Sequence, residues 1–274
     1  MTPRIVVLLA AGTALGMTHA PLLGEQVQTP VPAGEASSPR SVRPFVVGER
    51  AEYEIKLMGL TVGTGTMELR GIDTVRDRDA YHFAFTISAR AAWPINYSIR
   101  DTLQSWTDTA DFNSLRFHQD QYEGFGHNDP RRKRYEIFPD RQKFEEPGKP
   151  AQPSVADPLD DASFLYFVRT QNLEVGKTYP YDRYFKPNAN PVTVHVIKKD
   201  TIRVPAGEFV TLKLKPIIKT SGLFSEGGEA FVWITDDSAR LVVQITTKLA
   251  HISQLTLRLK TYRPSFAAPP PRHP

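Results

Sequence analysis

The chain has 274 residues and a formal net charge of +4, with 40% hydrophobic and 23% charged residues. These are ordinary values for a globular protein, and the length suits one or two domains. Cysteine is absent, which excludes disulfide frameworks, thiol nucleophiles, cysteine metal sites and a lipid anchor on an N-terminal cysteine. The positive charge permits anionic partners without requiring them.

The first segment, Met1 to Gly24, has the order of a secretory signal. A basic residue, Arg4, is followed by an apolar run and then by small residues. The apolar run is shorter than the ~20 residues that a transmembrane helix needs. We therefore predict cleavage near Gly16, Ala20 or Gly24, export to the bacterial periplasm, and no transmembrane segment in the mature chain. An uncleaved amphipathic anchor is the alternative.

The next segment, residues 25–44, reads EQVQTPVPAGEASSPRSVRP and has almost no large apolar side chains. Such a composition cannot bury enough surface to offset ordering, so it predicts a disordered linker. The tail SFAAPPPRHP, residues 265–274, predicts disorder in the same way. One β-rich domain is therefore expected over residues 45–264.

Alternation of apolar and polar residues dominates this domain. Tyr53, Ile55 and Leu57 alternate with charged residues, and SQLTLRLKTY near the end of the domain repeats the pattern with leucines. One buried face and one wet face are typical of antiparallel strands. With turn residues between the runs, the pattern predicts about ten strands joined mostly by hairpins.

Three glycines, Gly59, Gly63 and Gly65, share a parity in GLTVGTGTMEL, so one face of that strand lacks bulky side chains. Glycine within a strand usually marks a bulge, a sharp bend or the close approach of another element. The fold class that we predict is all-β: a single antiparallel domain curled into a roll or a partly open barrel.

Two charged stretches stand out in the predicted strands. Arg100 and Asp101 are adjacent, so one of them should face the interior. Because a buried charge is costly unless it is paired, a structural ion pair at a strand end is the favoured interpretation. The cluster RRKR, residues 131–134, spreads its charges over both faces of a strand, which favours a solvated hairpin end over an anion or nucleic-acid site.

One stretch, near residues 157–171, carries helix signals. Asp157 suits the N-cap and Pro158 the first helical position. Asp160 and Asp161 place negative charge at the positive end of the helix dipole.

The body of this stretch, FLYFV at Phe164 to Val168, is apolar on nearly every side. That pattern predicts a helix buried all round, packed on the concave face of the curled sheet as a plug or a wall. A buried strand is the alternative for these five residues.

Five segments occur in a characteristic order: VGERAEYEIKLMGLTVGTGTMEL, IRDTLQSWTD, ADPLDDASFLYFVR, VPAGEF and GLFSEGGEAFVWITDDSARLVVQI. Together they resemble the bacterial exported proteins grouped as domain of unknown function 3108. The resemblance covers nearly all of residues 44–264. It implies a secreted β-rich domain and brings no established activity, so no catalytic residue is carried over.

The sequence indicates no catalytic chemistry. No G-x-S-x-G elbow is present, and Ser163 fits a helix surface or packing position. The histidines are scattered singly, which does not favour a metal site. We therefore predict no catalytic residue, no metal ligand and no cofactor.

The candidate ligand-binding residues are charged or aromatic: Arg100, Asp101, Trp106, Phe164, Tyr166 and Trp233. Aromatic side chains line acyl cavities and stack on sugar rings, although they dominate ordinary cores as well. We expect a non-enzymatic periplasmic protein that binds an amphiphilic or envelope-derived ligand, in envelope transport or assembly. The expected partner is a lipid, a glycolipid, a polysaccharide or an envelope protein, and not a nucleic acid.

Two other functions remain open. One is an enzyme that acts on envelope polysaccharide with a pair of carboxylates. The other is a protein-interaction module that pairs its exposed strand edges with a partner.

Overall fold

The computed structural model describes residues 43–91, 96–125, 131–218, 230–248 and 254–264. The predicted signal, nearly all of the predicted linker and the predicted tail lie outside these residues. Arg43 already packs on the domain: its guanidinium carbon lies 4.6 Å from the centre of the Phe112 ring. Its Nη2 donates a hydrogen bond to the carbonyl oxygen of Thr109 at 3.0 Å. Contacts of the domain thus begin slightly before the expected boundary at residue 45.

Within the described residues, the chain forms fourteen antiparallel strands and one α-helix. The strands are β1 Arg50–Leu57, β2 Leu60–Val75, β3 Arg78–Ala91, β4 Tyr97–Asp108, β5 Ser114–Phe125, β6 Arg131–Phe138, β7 Lys143–Glu145, β8 Gln152–Pro153, β9 Thr178–Tyr181, β10 Val192–Val204, β11 Gly207–Ile217, β12 Phe231–Thr235, β13 Val242–Lys248 and β14 Gln254–Arg263. The helix α1 is Asp161–Arg169, and single 3-10 turns span Pro139–Arg141 and Pro187–Ala189.

All fourteen strands belong to one open sheet, in the order β8-β7-β6-β5-β4-β3-β2-β1-β14-β13-β12-β11-β10-β9. Strands that follow one another in sequence are paired, except β8 and β9, and β1 also pairs with β14. The two free edges are therefore β8 and β9, which follow one another in the chain. The helix lies in the connection between them.

The helix packs on the concave face of the sheet, as predicted. The Tyr166 ring stacks on Phe83 of β3 with a centroid distance of 3.9 Å. Phe167 meets Tyr181 of β9, at one edge of the sheet, with centroids 5.0 Å apart. Because strands from distant parts of the sheet contact one helix, the sheet curls around it.

The segment after β9 extends this core towards the other edge. The Phe185 ring contacts Phe117 of β5, Tyr135 of β6 and Phe144 of β7, with centroid distances of 6.2, 5.1 and 5.2 Å. The predicted fold class, a single antiparallel domain curled as a partly open barrel around one buried helix, is confirmed.

The glycines of β2 allow this curl. A Cβ atom on Gly63 would lie 2.5 Å from Cα of Ala89 and still closer to the carbonyl oxygen of Ser88. The pairing of β1 with β2 also shifts register between Ile55 and Lys56, beside Gly63. Close approach and a bulge are two of the three alternatives that the glycines of this strand indicate in the sequence.

The helix begins later than predicted, because its N-cap is Asp160 and not Asp157. The Asp160 carboxylate accepts hydrogen bonds from the backbone N–H groups of Ala162 and Ser163, both at 2.9 Å. Ser163 Oγ in turn accepts the N–H of Asp160 at 2.8 Å, which completes a capping box. Leu159 is held extended by backbone hydrogen bonds with the 183–185 segment, so the chain cannot turn into a helix earlier.

The N-cap carboxylate is fully buried. Ser105 Oγ donates a hydrogen bond to Asp160 Oδ2 at 2.6 Å. Burial, which penalises the charged form, raises the pKa of Asp160 to about 6 despite these hydrogen bonds.

The other end of the helix is fixed by a buried ion pair. Arg169 Nη1 and Nη2 lie 2.5 and 3.2 Å from the two carboxylate oxygens of Glu49, just before β1. Nη2 also donates to the carbonyl oxygens of Pro44 and Ala239, at 2.9 and 3.2 Å. Tyr262 of β14 donates to the same carboxylate at 3.2 Å. The pair therefore joins the helix to the first and last strands.

Arg169→Ala should lower the free energy of unfolding by about 3–5 kcal/mol, because it leaves the Glu49 carboxylate buried and unpaired. The double variant Glu49→Leu with Arg169→Met removes both charges, so its free energy of unfolding should fall clearly less than that of Arg169→Ala. Urea unfolding of the three proteins measures both values. A double variant as unstable as Arg169→Ala would show that the loss comes from packing alone.

Asp160→Asn should remove part of the pH dependence of stability. In the folded protein the pKa of Asp160 is about 6, above the ordinary pKa of 3.8. The contribution of Asp160 to the free energy of unfolding is therefore complete at a pH below 3.8, and it is lost as the pH rises through about 6. Wild-type protein should gain roughly 1–1.5 kcal/mol from this residue between about pH 7.5 and about pH 5. Asparagine keeps the capping oxygen without the charge. Urea unfolding at both pH values measures this change in the free energy of unfolding for wild type and for Asp160→Asn. The same change in both proteins would contradict the raised pKa of Asp160.

Candidate functional site

A groove of about 550 Å³ lies on the outer face of the sheet, across β3, β4, β5 and β6. Its side chains come mainly from positions that alternate with core residues, as Thr86 and Ser88 alternate with buried Phe85 and Ile87. The lining residues are Thr86, Ile87, Ser88, Arg100, Asp101, Thr102, Asp120, Tyr122, Arg132 and Arg134.

The strand register brings these side chains into two adjacent rows across the sheet. Arg100 of β4 is paired with Ser88 of β3 on one side and with Tyr122 of β5 on the other. Asp120 of β5 is paired in turn with Arg132 of β6. Side chains directly opposite one another on a sheet face interact, so residues scattered over the sequence form one surface.

Arg100 stacks on an aromatic ring of the neighbouring strand. Its guanidinium carbon lies 5.0 Å from the centre of the Tyr122 ring, and the side chain is exposed. A guanidinium over an aromatic face keeps its hydrogen-bond donors available to a ligand. Asp101 Oδ1 accepts the backbone N–H of Tyr122 at 3.1 Å, which anchors the strand beneath the stack.

The groove carries more positive than negative charge, since its lining includes three arginines and two aspartates. Arg134 Nη2 lies 2.7 Å from Asp120 Oδ1. Arg132 is more distant from that atom, with its Nε at 3.8 Å, and its side chain is 63% exposed. The groove thus presents guanidinium groups beside the hydroxyls of threonine and serine, a combination suited to a hydroxyl-rich anion.

A polar aromatic cluster adjoins the groove on the same face. Trp106 stacks on His82 with a centroid distance of 4.4 Å, and its Nε1 donates to Asp73 Oδ2 at 2.8 Å. His118 packs edge-on against Trp106 at 4.9 Å. Burial lowers the pKa of His118, and the positive charge of Arg134 lowers it further.

The six residues singled out from the sequence do not share one pocket. Arg100 and Asp101 line the groove, and Trp106 lies in the adjoining cluster. Phe164 and Tyr166 are buried in the core on the helix. Trp233 lies on β12, alternating with two core residues, and Lys213 Nζ lies 5.0 Å from the centre of its ring. A ligand role for any of the six stays a prediction.

Eight of the ten groove residues were not among the candidate ligand-binding residues, and the charged or aromatic ones among them are Tyr122, Asp120, Arg132 and Arg134. Arg132 and Arg134 do share one strand face, as the alternation in RRKR indicates. Their significance depends on Arg100 and Tyr122, which neighbouring strands supply. Only the cross-strand register reveals this association.

Residues 52–259 match the family described as protein of unknown function, DUF3108. The chain belongs to this family. The resemblance noted in the sequence is therefore confirmed over most of the described residues. No curated protein matches the chain.

Solved structures similar to this DUF3108 domain are distant in sequence. A beta-barrel-like protein of domain of unknown function DUF1849, from Brucella abortus, is 11% identical with a TM-score of 0.50, over 80% of this chain and 98% of that one. This likeness supports the fold alone.

Two further structures are 11% identical over 80% of this chain. One is a protein from Parabacteroides distasonis, provisionally described as a lipoprotein, with 98% of its length covered and a TM-score of 0.34. The other is a provisional exported protein with a YmcC-like fold from Bacteroides fragilis, with 97% covered and a TM-score of 0.26. Both scores are too low to support a conclusion.

Neither a membrane-spanning helix nor a metal cluster emerges from the part of the chain that the structure describes. No helix there is long and apolar enough to cross a bilayer. No group of three or more histidine, aspartate or glutamate residues there is placed to hold a metal ion.

Arg134→Gln should raise the pKa of His118, because the substitution removes one of the positive charges that disfavour the protonated ring. Titration of the imidazole ring protons by NMR measures this pKa in both proteins. Arg203→Gln removes an equally charged, 82% exposed side chain from β10 and serves as the control. An unchanged His118 pKa in Arg134→Gln would contradict the electrostatic description of the groove.

Proposed function

We propose that this protein is a non-enzymatic periplasmic binding protein whose outer groove holds the anionic, hydroxyl-bearing headgroup of an envelope-derived amphiphile or glycan. The observation that carries the proposal is the exposed Arg100 guanidinium stacked on Tyr122, beside Arg132 and Arg134. The signal-like segment at residues 1–24 supports export.

The chemistry of the groove defines the class of ligand. A guanidinium group matches a carboxylate or a phosphate with two parallel hydrogen bonds. The hydroxyls of Thr86, Ser88 and Thr102 add donors and acceptors for sugar hydroxyls. A uronic acid or a phosphorylated sugar combines both kinds of group, as glycolipid headgroups and acidic polysaccharides do.

The aspartates of the groove favour binding over glycoside hydrolysis. Asp120 is ion-paired with Arg134 at 2.7 Å, and Asp101 accepts the N–H of Tyr122. A general acid must carry a proton to the leaving group. Both carboxylates of the groove are instead engaged by donors of the protein itself.

The sheet edges are poor sites for strand addition. β8 spans only Gln152–Pro153, and β9 contains Pro180. Proline and short length are devices that protect a free edge from pairing. A protein-interaction module based on these edges is therefore disfavoured relative to binding at the groove.

Isothermal titration of the processed protein with a short uronic-acid oligosaccharide tests the proposal. We expect binding that weakens with added salt, and about tenfold weaker binding of a neutral dextran oligosaccharide of the same length. The double variant Arg100→Gln with Arg132→Gln should also weaken uronate binding about tenfold, through loss of charge-assisted hydrogen bonds.

A charge-matched control removes two other exposed cations, Lys177→Gln with Arg203→Gln, which lie away from the groove. This control should leave uronate binding unchanged. An equal loss of uronate affinity in both double variants would show that only the net charge of the protein matters. The groove would then not be the binding site.

A further inference from the structure

The hairpin between β1 and β2 has an unusual tip. Met58 and Gly59 both have positive φ, at 50° and 83°, which defines a two-residue type I′ turn. Such turns favour Asn-Gly or Asp-Gly, because a bulky side chain is disfavoured in the left-handed region. A methionine at this position therefore works against the turn that it occupies.

The apolar side chains of this tip gain little from the fold. Met58 is 70% exposed and Leu60, directly after the turn, is 72% exposed. They are the two most exposed large hydrophobic residues among those that the structure describes. Burial within the fold therefore does not explain why these two positions carry large apolar side chains. Contact with an apolar medium outside the protein would explain it.

Basic residues lie at the same rim of the sheet. In an antiparallel meander the ends of β1 and β3 and the start of β6 share one rim. Lys56 is next to the end of β1, Arg90 is next to the end of β3, and Arg131 begins β6. Their side chains belong to a rim whose tip is apolar, which is the pattern of surfaces that bind anionic lipid.

The groove opens near this rim as well. Arg100 lies close to the start of β4, and Arg132 follows Arg131 at the start of β6. The pairing of Gly63 with Ala89 places the β1–β2 tip at the level where β3 ends. The apolar tip, the basic rim and the arginines of the groove thus lie at one end of β1–β6.

We propose that this rim docks on an anionic lipid surface, with Met58 and Leu60 inserted at the acyl boundary and Lys56, Arg90 and Arg131 against the headgroups. The inference deepens the proposed function, on which it rests for the amphiphilic nature of the ligand. Docking brings the groove to the surface from which a headgroup is taken or to which it is delivered.

Vesicle co-sedimentation of the processed protein tests the docking. We expect binding to vesicles of phosphatidylglycerol with phosphatidylethanolamine, little binding to pure phosphatidylcholine vesicles, and a loss of binding in about 0.5 M salt. Wild-type protein that stays in the supernatant with the anionic vesicles would overturn the proposal.

The decisive variant is Met58→Asn with Leu60→Thr. It creates an Asn-Gly turn followed by a residue favoured in strands, so its Tm should be equal to or above that of the wild type. Its partitioning to the anionic vesicles should fall about tenfold, because the apolar tip is gone. Ile72→Thr is the matched control, since it removes a 51% exposed apolar residue from the other end of β2 and should leave binding unchanged.

The outcomes separate the two proposals. Vesicle binding that is unchanged in Met58→Asn with Leu60→Thr overturns the rim as the docking surface, even if uronate still binds at the groove. Uronate binding that is lost in the groove variant but retained in the tip variant supports two separate surfaces. A dimer that depends on Met58, without vesicle binding, would assign the tip to a second copy of the chain and overturn the lipid assignment.

Discussion

The hydrogen bonds between β1 and β14 join the first and last strands of the sheet. The ladder runs from the pair Arg50 and Arg263 to the pair Leu57 and Leu255. The remaining pairs join strands that are consecutive in sequence, and only β8 and β9 are consecutive without being paired. With β1 and β14 joined, the opening of the barrel therefore lies in the middle of the chain, between β8 and β9. The connection between these two strands carries the helix Asp161–Arg169, and the segment after β9 adds Phe185 to the same core.

This position explains why the body of the helix is apolar on nearly every side. It contacts the concave face through Tyr166 on Phe83 and reaches β9 through Phe167 on Tyr181. A helix enclosed in this way has no wet face, so its polar groups must be satisfied at its ends. Asp160 with Ser105 does so at the first turn, and Arg169 with Glu49 at the last. Both anchors are buried, and together they fix the orientation of the helix in the opening.

The sequence predicts structural features that are set within a single strand or helix, and it misses features that depend on how two elements pair. Period-two alternation identifies the half-buried strands, the apolar run at Phe164–Val168 identifies the buried helix, and Gly63 identifies the close approach of β3. The helix start was misplaced because Asp157 and Asp160 are equally good caps locally, and backbone pairing of Leu159 with the 183–185 segment decides between them. The groove was missed for the same reason: Arg100, Tyr122 and Arg132 become neighbours only through the register of three strands.

The β1–β14 ladder also has a consequence for the order of folding. β1 lies early in the chain, but its second partner is the last strand to be synthesised. Contacts between residues so distant in sequence carry a large loop-closure entropy and form slowly. Before β14 joins the sheet, β1 and β13 both have unpaired backbone groups. The hydroxyl of Tyr53 on β1 is then not yet held beside its acceptor, the carbonyl oxygen of Val242 on β13. A domain that lacks this ladder therefore exposes backbone edges at β1 and β13 that the complete sheet covers, and exposed strand edges favour aggregation.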